Sequence, residues 1–373
     1  MIPLFKVFIS DDVADFVLPV LRSGYVGEGE QCKAFEKKFG EYIQNENVVL
    51  VNSGTSALTM ALKLAGIGHG DRVVSTPMSC LATNMAILSV GADIIWADVL
   101  SDGTIDPDDV RRKVLQARYE PKAIMCMDWG GLPCKMNELM GVADMYGGIV
   151  IEDACQALGS SYERIPIGNQ ADFVAFSFQA IKYLTAVDGG ELAINNPDLV
   201  EKAKMMRWFG LDRNNGADMR CNQDPPVAGY KWQMNDVLAS IGLANIRHLS
   251  EIITKAKAHA QFYNDNFGIE TDPKRESGYW LYTIFVDDVD QFIQYMRYNE
   301  VECSRVHDRN DTKTVFKKSR TYLPGVDRFD KHHVCLPVGW WLSDEDVLKI
   351  ISLVLGYRRN YEQGSLGEIY RTV

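Results

Sequence analysis

The chain has 373 residues, with 39 Lys and Arg against 50 Asp and Glu, giving a formal charge of −11. That balance excludes a general nucleic-acid or anionic-membrane binder, whose phosphate surface the average field would repel, but not a small phosphorylated ligand held by a few local donors. The eight cysteines stand singly, without a CxxC, and read as reduced, buried thiols rather than a disulfide framework or a zinc site. The N-terminal MIPLFKVFISDD lacks the basic start and apolar centre of a signal peptide, and Asp11, Asp12 and Asp15 interrupt it. No run approaches the ~20 apolar residues that span a bilayer. The expected location is the cytoplasm.

From residue 47 onward, short apolar runs alternate with helical patterns. Residues 47–51 (NVVLV) read as a strand, and the following SGTSAL as a turn opening a helix to about residue 65. A second run at 72–76 precedes a helix at 81–90, and a third run lies at 93–99 (DIIWADV). A helix starting at Pro107, capped by Asp106, leads to a strand at 123–128; a helix at 137–146 leads to 148–152 (GIVIE). Strands that are apolar throughout and separated by helices predict a mostly parallel sheet covered on both faces. Then the rhythm changes. Residues 172–178 (DFVAFSF) and 189–194 (GGELAI) are joined by a loop with no helix, which favours an antiparallel pair. Residues 212–228, rich in Asn, Asp, Gly and Pro, read as a mobile loop. One long helical pattern runs from 234 to about 267. Runs at 279–286 (YWLYTIFV) and 301–306, with a helix at 343–356, predict a small α+β C-terminal domain. The expected division is 1–245 for the N-terminal segment and large α/β domain, and 246–373 for the connecting helix and small domain.

Four segments are candidates for chemistry. In NSGTSAL, Gly54 allows close approach of a ligand, and Thr55, Ser56 and the helix N–H groups suit a phosphate; the alternative is simple capping by Ser53 or Thr55. Glu152 and Asp153 stand at a strand end, where open α/β sheets bind ligands; the alternative is a helix cap at Asp153. Lys182 lies in the crowded connection between two buried strands, where desolvation would make its amine a nucleophile towards aldehydes. In GYKWQMN, Lys231 offers charge to an anion. Other signatures fail: GIGHGD lacks the dinucleotide spacing, and no P-loop, HExxH or GxSxG occurs, so no metal site is expected. Taken together, a phosphate cradle, a carboxylate at a strand end and a loop lysine suit pyridoxal phosphate, whose ring nitrogen, aldehyde and phosphate need those three partners.

NSGTSAL, VIEDACQALGS, FSFQAIKYLTAVDGGEL and GYKWQMNDVLASIGLANI, in that order, resemble the DegT/DnrJ/StrS sugar aminotransferases. SGYVGEGEQCKAFEKKF and LPVGWWLSDEDV extend the resemblance over almost the whole chain. It implies pyridoxal-phosphate fold type I and transfer of an amino group from L-glutamate to a nucleotide-linked keto deoxyhexose, most simply a 4-keto-6-deoxy sugar, for glycan or amino-sugar biosynthesis. Position by position, Lys182 matches the lysine that forms the internal aldimine, and Asp153 the partner of the pyridine nitrogen. Gln156 matches the amide near the ring's phenolic oxygen, and Thr55, Ser56 and Ser177 match phosphate contacts. Lys231 falls where many members carry an Asn that reaches the neighbouring subunit's cofactor, which implies a homodimer with shared sites. Cys80 replaces an aromatic that often stacks on the ring, Gln179 stands where some members have His, and 185–188 depart from the usual Thr-Thr-Gly-acid. The loop holding His307, Arg309 and Asn310 is expected to face the substrate. Two alternatives stay open at this level: a non-catalytic cofactor-binding protein of the same fold, and a related sugar dehydratase, which would carry His in place of Lys182.

Overall fold

The computed structural model describes residues 1–117, 120–213, 222–319 and 321–361. Cys221, and residues 214–221 of the loop expected at 212–228, lie outside the described residues. Two helices for which the sequence reading named no element open the chain, α1 (Val13–Ser23) and α2 (Glu30–Ile43). Helix α2 places Phe35 and Phe39, one turn apart, on one fully buried face. From there β1 (Val48–Val51) leads to α3 (Gly54–Leu64), β2 (Arg72–Ser75) to α4 (Leu81–Ser89), and β3 (Asp93–Trp96) to α5 (Pro107–Gln116). The expected cap of α5 is present, Asp106 accepting from the Asp108 N–H. Next, β4 (Ala123–Met127) leads to α6 (Met136–Asp144), and β5 (Ile149–Asp153) ends without a helix behind it. The short β6 (Ser161–Tyr162) and β7 (Ile165–Pro166) precede β8 (Phe173–Ser177) and β9 (Gly190–Ile194).

Seven of these strands form one sheet in the order β1-β9-β8-β5-β4-β2-β3. Strand β9 is antiparallel to both its neighbours, β1 and β8, and the other pairs are parallel. Every residue of β1, β4 and β9 is buried, which is why these strands read as continuous rather than alternating apolar runs. Phe35 and Phe39 lie 5.0 and 5.1 Å from the Phe178 and Phe176 rings at the end of β8, so α2 closes the sheet over the segment leading to Lys182.

After α7 (Val200–Met206), the helical pattern expected as one piece is two helices, α8 (Asp236–Ile246) and α9 (Leu249–Phe267). No Gly or Pro marks the break. Its cause lies outside the segment: Arg247 pairs with Asp12 at 2.5 Å, and the His248 ring meets the Ser10 hydroxyl at 3.0 Å, so the N-terminal strap pulls the chain aside. Asn245 receives the Ser10 N–H and donates to the Thr185 carbonyl, tying this strap to the Lys182 loop.

The C-terminal part holds β10 (Arg275–Glu276), which joins β6, then β11 (Tyr282–Phe285), α10 (Val289–Tyr298), α11 (Pro324–His332), β12 (His333–Leu336) and α12 (Asp344–Tyr361). Strands β11 and β12 pair antiparallel over a second buried cluster that includes Tyr263, Ile284, Phe292, Val334 and Ile350. The strand expected at 301–306 is instead a loop with two isolated bridges, Val301 to Ile2 and Ser304 to Cys335. Among the described residues, no helix is long and apolar enough to cross a membrane.

Candidate active site

The C-terminal ends of the parallel strands gather most of the predicted residues. Ser53 caps α3 by accepting the Ser56 N–H at 3.1 Å, which leaves earlier N–H groups of the first turn without an intrahelical partner. The capping alternative is thus true of Ser53 and compatible with a phosphate site. A side chain on Gly54 would place its Cβ 2.8 Å from Cys155 Sγ and 3.0 Å from Ser177 Cβ, so only glycine lets the three loops meet. Thr55 is exposed beside them, and the Ser56 hydroxyl donates to Asn52.

Asp153, only 2% exposed, does not cap a helix. Its Oδ2 accepts from the buried Thr83 hydroxyl at 2.6 Å, and its Oδ1 from the Cys155 N–H at 3.1 Å. Two fixed donors hold the carboxylate in place. Sequence reasoning missed Thr83, which sits 70 positions away on α4 and becomes a partner only through the fold. Cys80, at the start of α4, stands near Asp153; burial first, then that carboxylate, pushes its thiol up, and the same causes raise Cys155. Both stay neutral thiols, so neither competes with an amine for an aldehyde.

Lys182 lies in the β8–β9 connection, and its Nζ sits 3.6 Å from the centre of the Trp280 ring. Burial pulls its amine below the ordinary lysine range, against the opposing pull of Cys155, Cys80 and Asp153. Gln156 is buried with both ends assigned. Its Oε1 accepts the Gly130 N–H at 2.8 Å, so its Nε2 is the donor to His307 Nε2, also at 2.8 Å. His307 therefore carries its proton on Nδ1, and burial, followed by the nearby Lys182, pushes its pKa down to about 4. The second N–H of Gln156 remains for a ligand oxygen.

The rest of the expected substrate loop is held by the protein itself. Arg309 pairs with Asp311 at 2.7 Å and with Asp327, and is 7% exposed. Asn310 donates to the Ser79 carbonyl and accepts from Asn84, pinning the loop that leads to Cys80. Lys231 is not brought to the α3 cradle by its side chain: its backbone carbonyl accepts from Asn52, while its amine lies 5.1 Å from the Trp208 ring.

A feature with no sequence signal lies beneath Asp153. Cys126 and Glu152 are opposite one another on β4 and β5, as are Met127 and Asp153. Asp128 and Glu152 are fully enclosed, and each shifts the titration of the other. Among the described residues Asp128 Oδ2 and Glu152 Oε1 have no hydrogen-bond partner, and one proton shared between the two acids would satisfy both. Burial is the main reason that Asp128 is raised to about 7 and Glu152 well above the carboxylate range.

These residues fit pyridoxal phosphate on their own geometry. A partly buried amine lacks a hydrogen-bond acceptor among the described residues, a buried carboxylate is held by two donors, and a glycine keeps open the approach to a helix N-terminus. The group of three or more His, Cys, Asp or Glu side chains that a metal ion needs is not found among the described residues.

Comparison with known proteins points the same way. A family model described as the DegT/DnrJ/EryC1/StrS aminotransferase family matches residues 8–355. Spore coat polysaccharide biosynthesis protein SpsC of Bacillus subtilis is 29% identical over 365 residues, covering 91% of this chain and 92% of that protein. The UDP-4-amino-4,6-dideoxy-N-acetyl-beta-L-altrosamine transaminase of Campylobacter jejuni is 30% identical over 274 residues, 74% of this chain and 69% of that one. The crystal structure of sugar aminotransferase CalS13 from Micromonospora echinospora has a TM-score of 0.90 at 32% identity, covering 95% of this chain and 100% of that one.

Proposed function

The chain belongs to the DegT/DnrJ/EryC1/StrS aminotransferase family, a pyridoxal-phosphate-dependent sugar aminotransferase, and on that premise we propose that it moves the amino group of L-glutamate to a nucleotide-linked 4-keto-6-deoxyhexose. The relative whose name specifies a UDP-linked 4-amino-4,6-dideoxy sugar supports that choice of acceptor. The cofactor, when bound, supplies an aldehyde that bonds amines and a protonated ring that takes up electrons from the carbon being deprotonated.

The chain's own residues do the rest. Lys182 binds the cofactor through its amine. When not bonded to the cofactor, its Nζ would take and return a proton at the substrate carbon, acting first as base and then as acid. Asp153, fixed by the Thr83 hydroxyl and the Cys155 N–H, would pair with the protonated ring nitrogen. The free N–H of Gln156 orients the ring oxygen, and Gly54, Thr55, Ser56 and Ser177 take the phosphate. Cys80 borders the ring.

Lys231 and the exposed apolar side chains of Leu18, Leu21, Tyr25, Val26 and Phe209 support a homodimer in which Lys231 reaches the partner's cofactor. The seven described cysteines are all free, which suits the reducing cytoplasm.

The observation that carries the reading is the pairing, at neighbouring strand ends, of an amine depressed by burial with a carboxylate fixed by two donors. Borohydride reduction followed by peptide mapping should place the cofactor on Lys182, and Lys182→Ala should abolish turnover with glutamate and a keto-sugar nucleotide. A label on another side chain, or near-normal turnover in the variant, refutes the assignment.

A further inference from the structure

The charged end of Lys182 rests on an aromatic face, and the aromatic residue comes from the far side of the chain. Trp280 is 5% exposed, and its indole N–H donates to the carbonyl of Ile181 at 3.0 Å, the residue just before Lys182. The ring is therefore fixed to the lysine's own backbone while its face lies 3.6 Å from Nζ. Phe5 stacks on the same indole, with centroids 5.0 Å apart and planes inclined by 25°. Tyr183, the next residue along the loop, donates its hydroxyl to the carbonyl of Tyr279. The two residues that flank Lys182 are thus bound to two consecutive residues ahead of β11. No hydrogen bond or ion pair of the amine is found among the described residues, so the indole is its principal partner.

An ammonium group this close to a desolvated indole is attracted by the negative face of the ring, and the attraction is lost when the nitrogen becomes neutral. We propose that Trp280 is the resting place of the Lys182 ammonium whenever that amine is free of the cofactor, a positioning residue that keeps it at the strand ends between the two halves of the reaction. The proposal rests on Lys182 being the cofactor-bearing amine. Without such a hold, a freed lysine on a flexible four-carbon stem would disperse among rotamers, and each return to the reacting carbon would have to overcome that entropy. The groups that face the amine from other elements are Asp153, Cys155, Cys80 and His307. His307 is neutral above about 4, and the thiols are raised, so neither the histidine nor the thiols put a charge beside the amine across neutral pH.

The test uses the full-length chain with cofactor removed and reads acetylation of Lys182 by peptide mass spectrometry at a fixed pH below its pKa. Only the neutral amine reacts. Trp280→Leu keeps an apolar wall but removes the ring, so the neutral fraction and the labelling rate should rise roughly 2- to 30-fold, the range of a cation–π contact from exposed to desolvated. Trp280→Phe, which keeps a weaker face and preserves falsifiability if the leucine variant fails to fold, should fall between. Rates equal to or below wild type in whichever variants fold overturn the proposal. Borohydride mapping of the wild-type holoenzyme separates the two ideas: a cofactor fixed elsewhere sinks the site assignment, whereas unchanged acetylation alongside a cofactor on Lys182 sinks only the role of Trp280.

Discussion

Thr83 is the sharpest place to test how Asp153 works. Asp153 has two donors, the Thr83 hydroxyl at 2.6 Å and the Cys155 N–H at 3.1 Å. Thr83 is 0% and Asp153 2% exposed, so water cannot replace a donor that is removed. Thr83→Val keeps the shape and deletes one of the two. A hydrogen bond to a charged group contributes about 1.5–3 kcal/mol, and the bond deleted is the shorter one. If the charged carboxylate is what holds the proton on the ring nitrogen, that loss appears in the barrier and slows the glutamate half-reaction roughly 10- to 150-fold. The assay is a stopped-flow record of the cofactor absorbance with glutamate alone, which isolates chemistry from sugar binding. Thr83→Ser, which retains the donor, should recover most of the rate. A valine variant as fast as wild type, or a serine variant as slow as valine, would show that the hydroxyl only fills space.

Two further outcomes follow from buried titrating groups. Asp128 holds its proton up to about 7, whereas the unfolded chain releases it in the ordinary carboxylate range, so the stability it gives is complete at low pH and is lost as pH rises to about 7. Asp128→Asn, whose amide can donate to Glu152, should flatten that part of the pH dependence of urea midpoints; an unchanged slope would place the proton elsewhere. His307 acts in the opposite sense. Its pKa is lowered from 6.5 to about 4, so its contribution is present above 6.5 and lost as pH falls through 4. His307→Asn, still able to accept from Gln156, should show a shallower acid slope in the same urea series, and an acid slope as steep as wild type would contradict the neutral, Nδ1-protonated ring.

Much of this was legible in the sequence because it is written locally. The parallel strands announce themselves as unbroken apolar runs, since helices bury both their faces, and the β8–β9 connection was readable from the missing helix between them. The ligand-facing loops carry small and polar residues at strand ends. What escaped was long-range. Thr83, Trp280 and the Asp128–Glu152 contact acquire meaning only when segments far apart in the chain are brought together, and none has a local pattern. The break after Ile246 was invisible for the same reason, its cause being Ser10 and Asp12. Arg309 and Asn310, expected at the substrate from their place in a polar loop, have partners the sequence did not point to: Asp311, Asp327 and the loop before α4.

The sheet order also governs how the enzyme is born. Strand β1 is the first made but lies at the edge, and its neighbour is β9. A Cβ at Gly190 would lie 2.4 Å from the Ser53 carbonyl carbon, so the loop after β1 takes its final form only against a strand the ribosome delivers much later. Until Gly190–Ile194 emerges, Val48–Val51 is an unpaired apolar ribbon on the nascent chain, open to pairing with the wrong segment or to capture by a chaperone. The turn proposed to take the phosphate is thus translated early and completed late, after Lys182 has already left the tunnel.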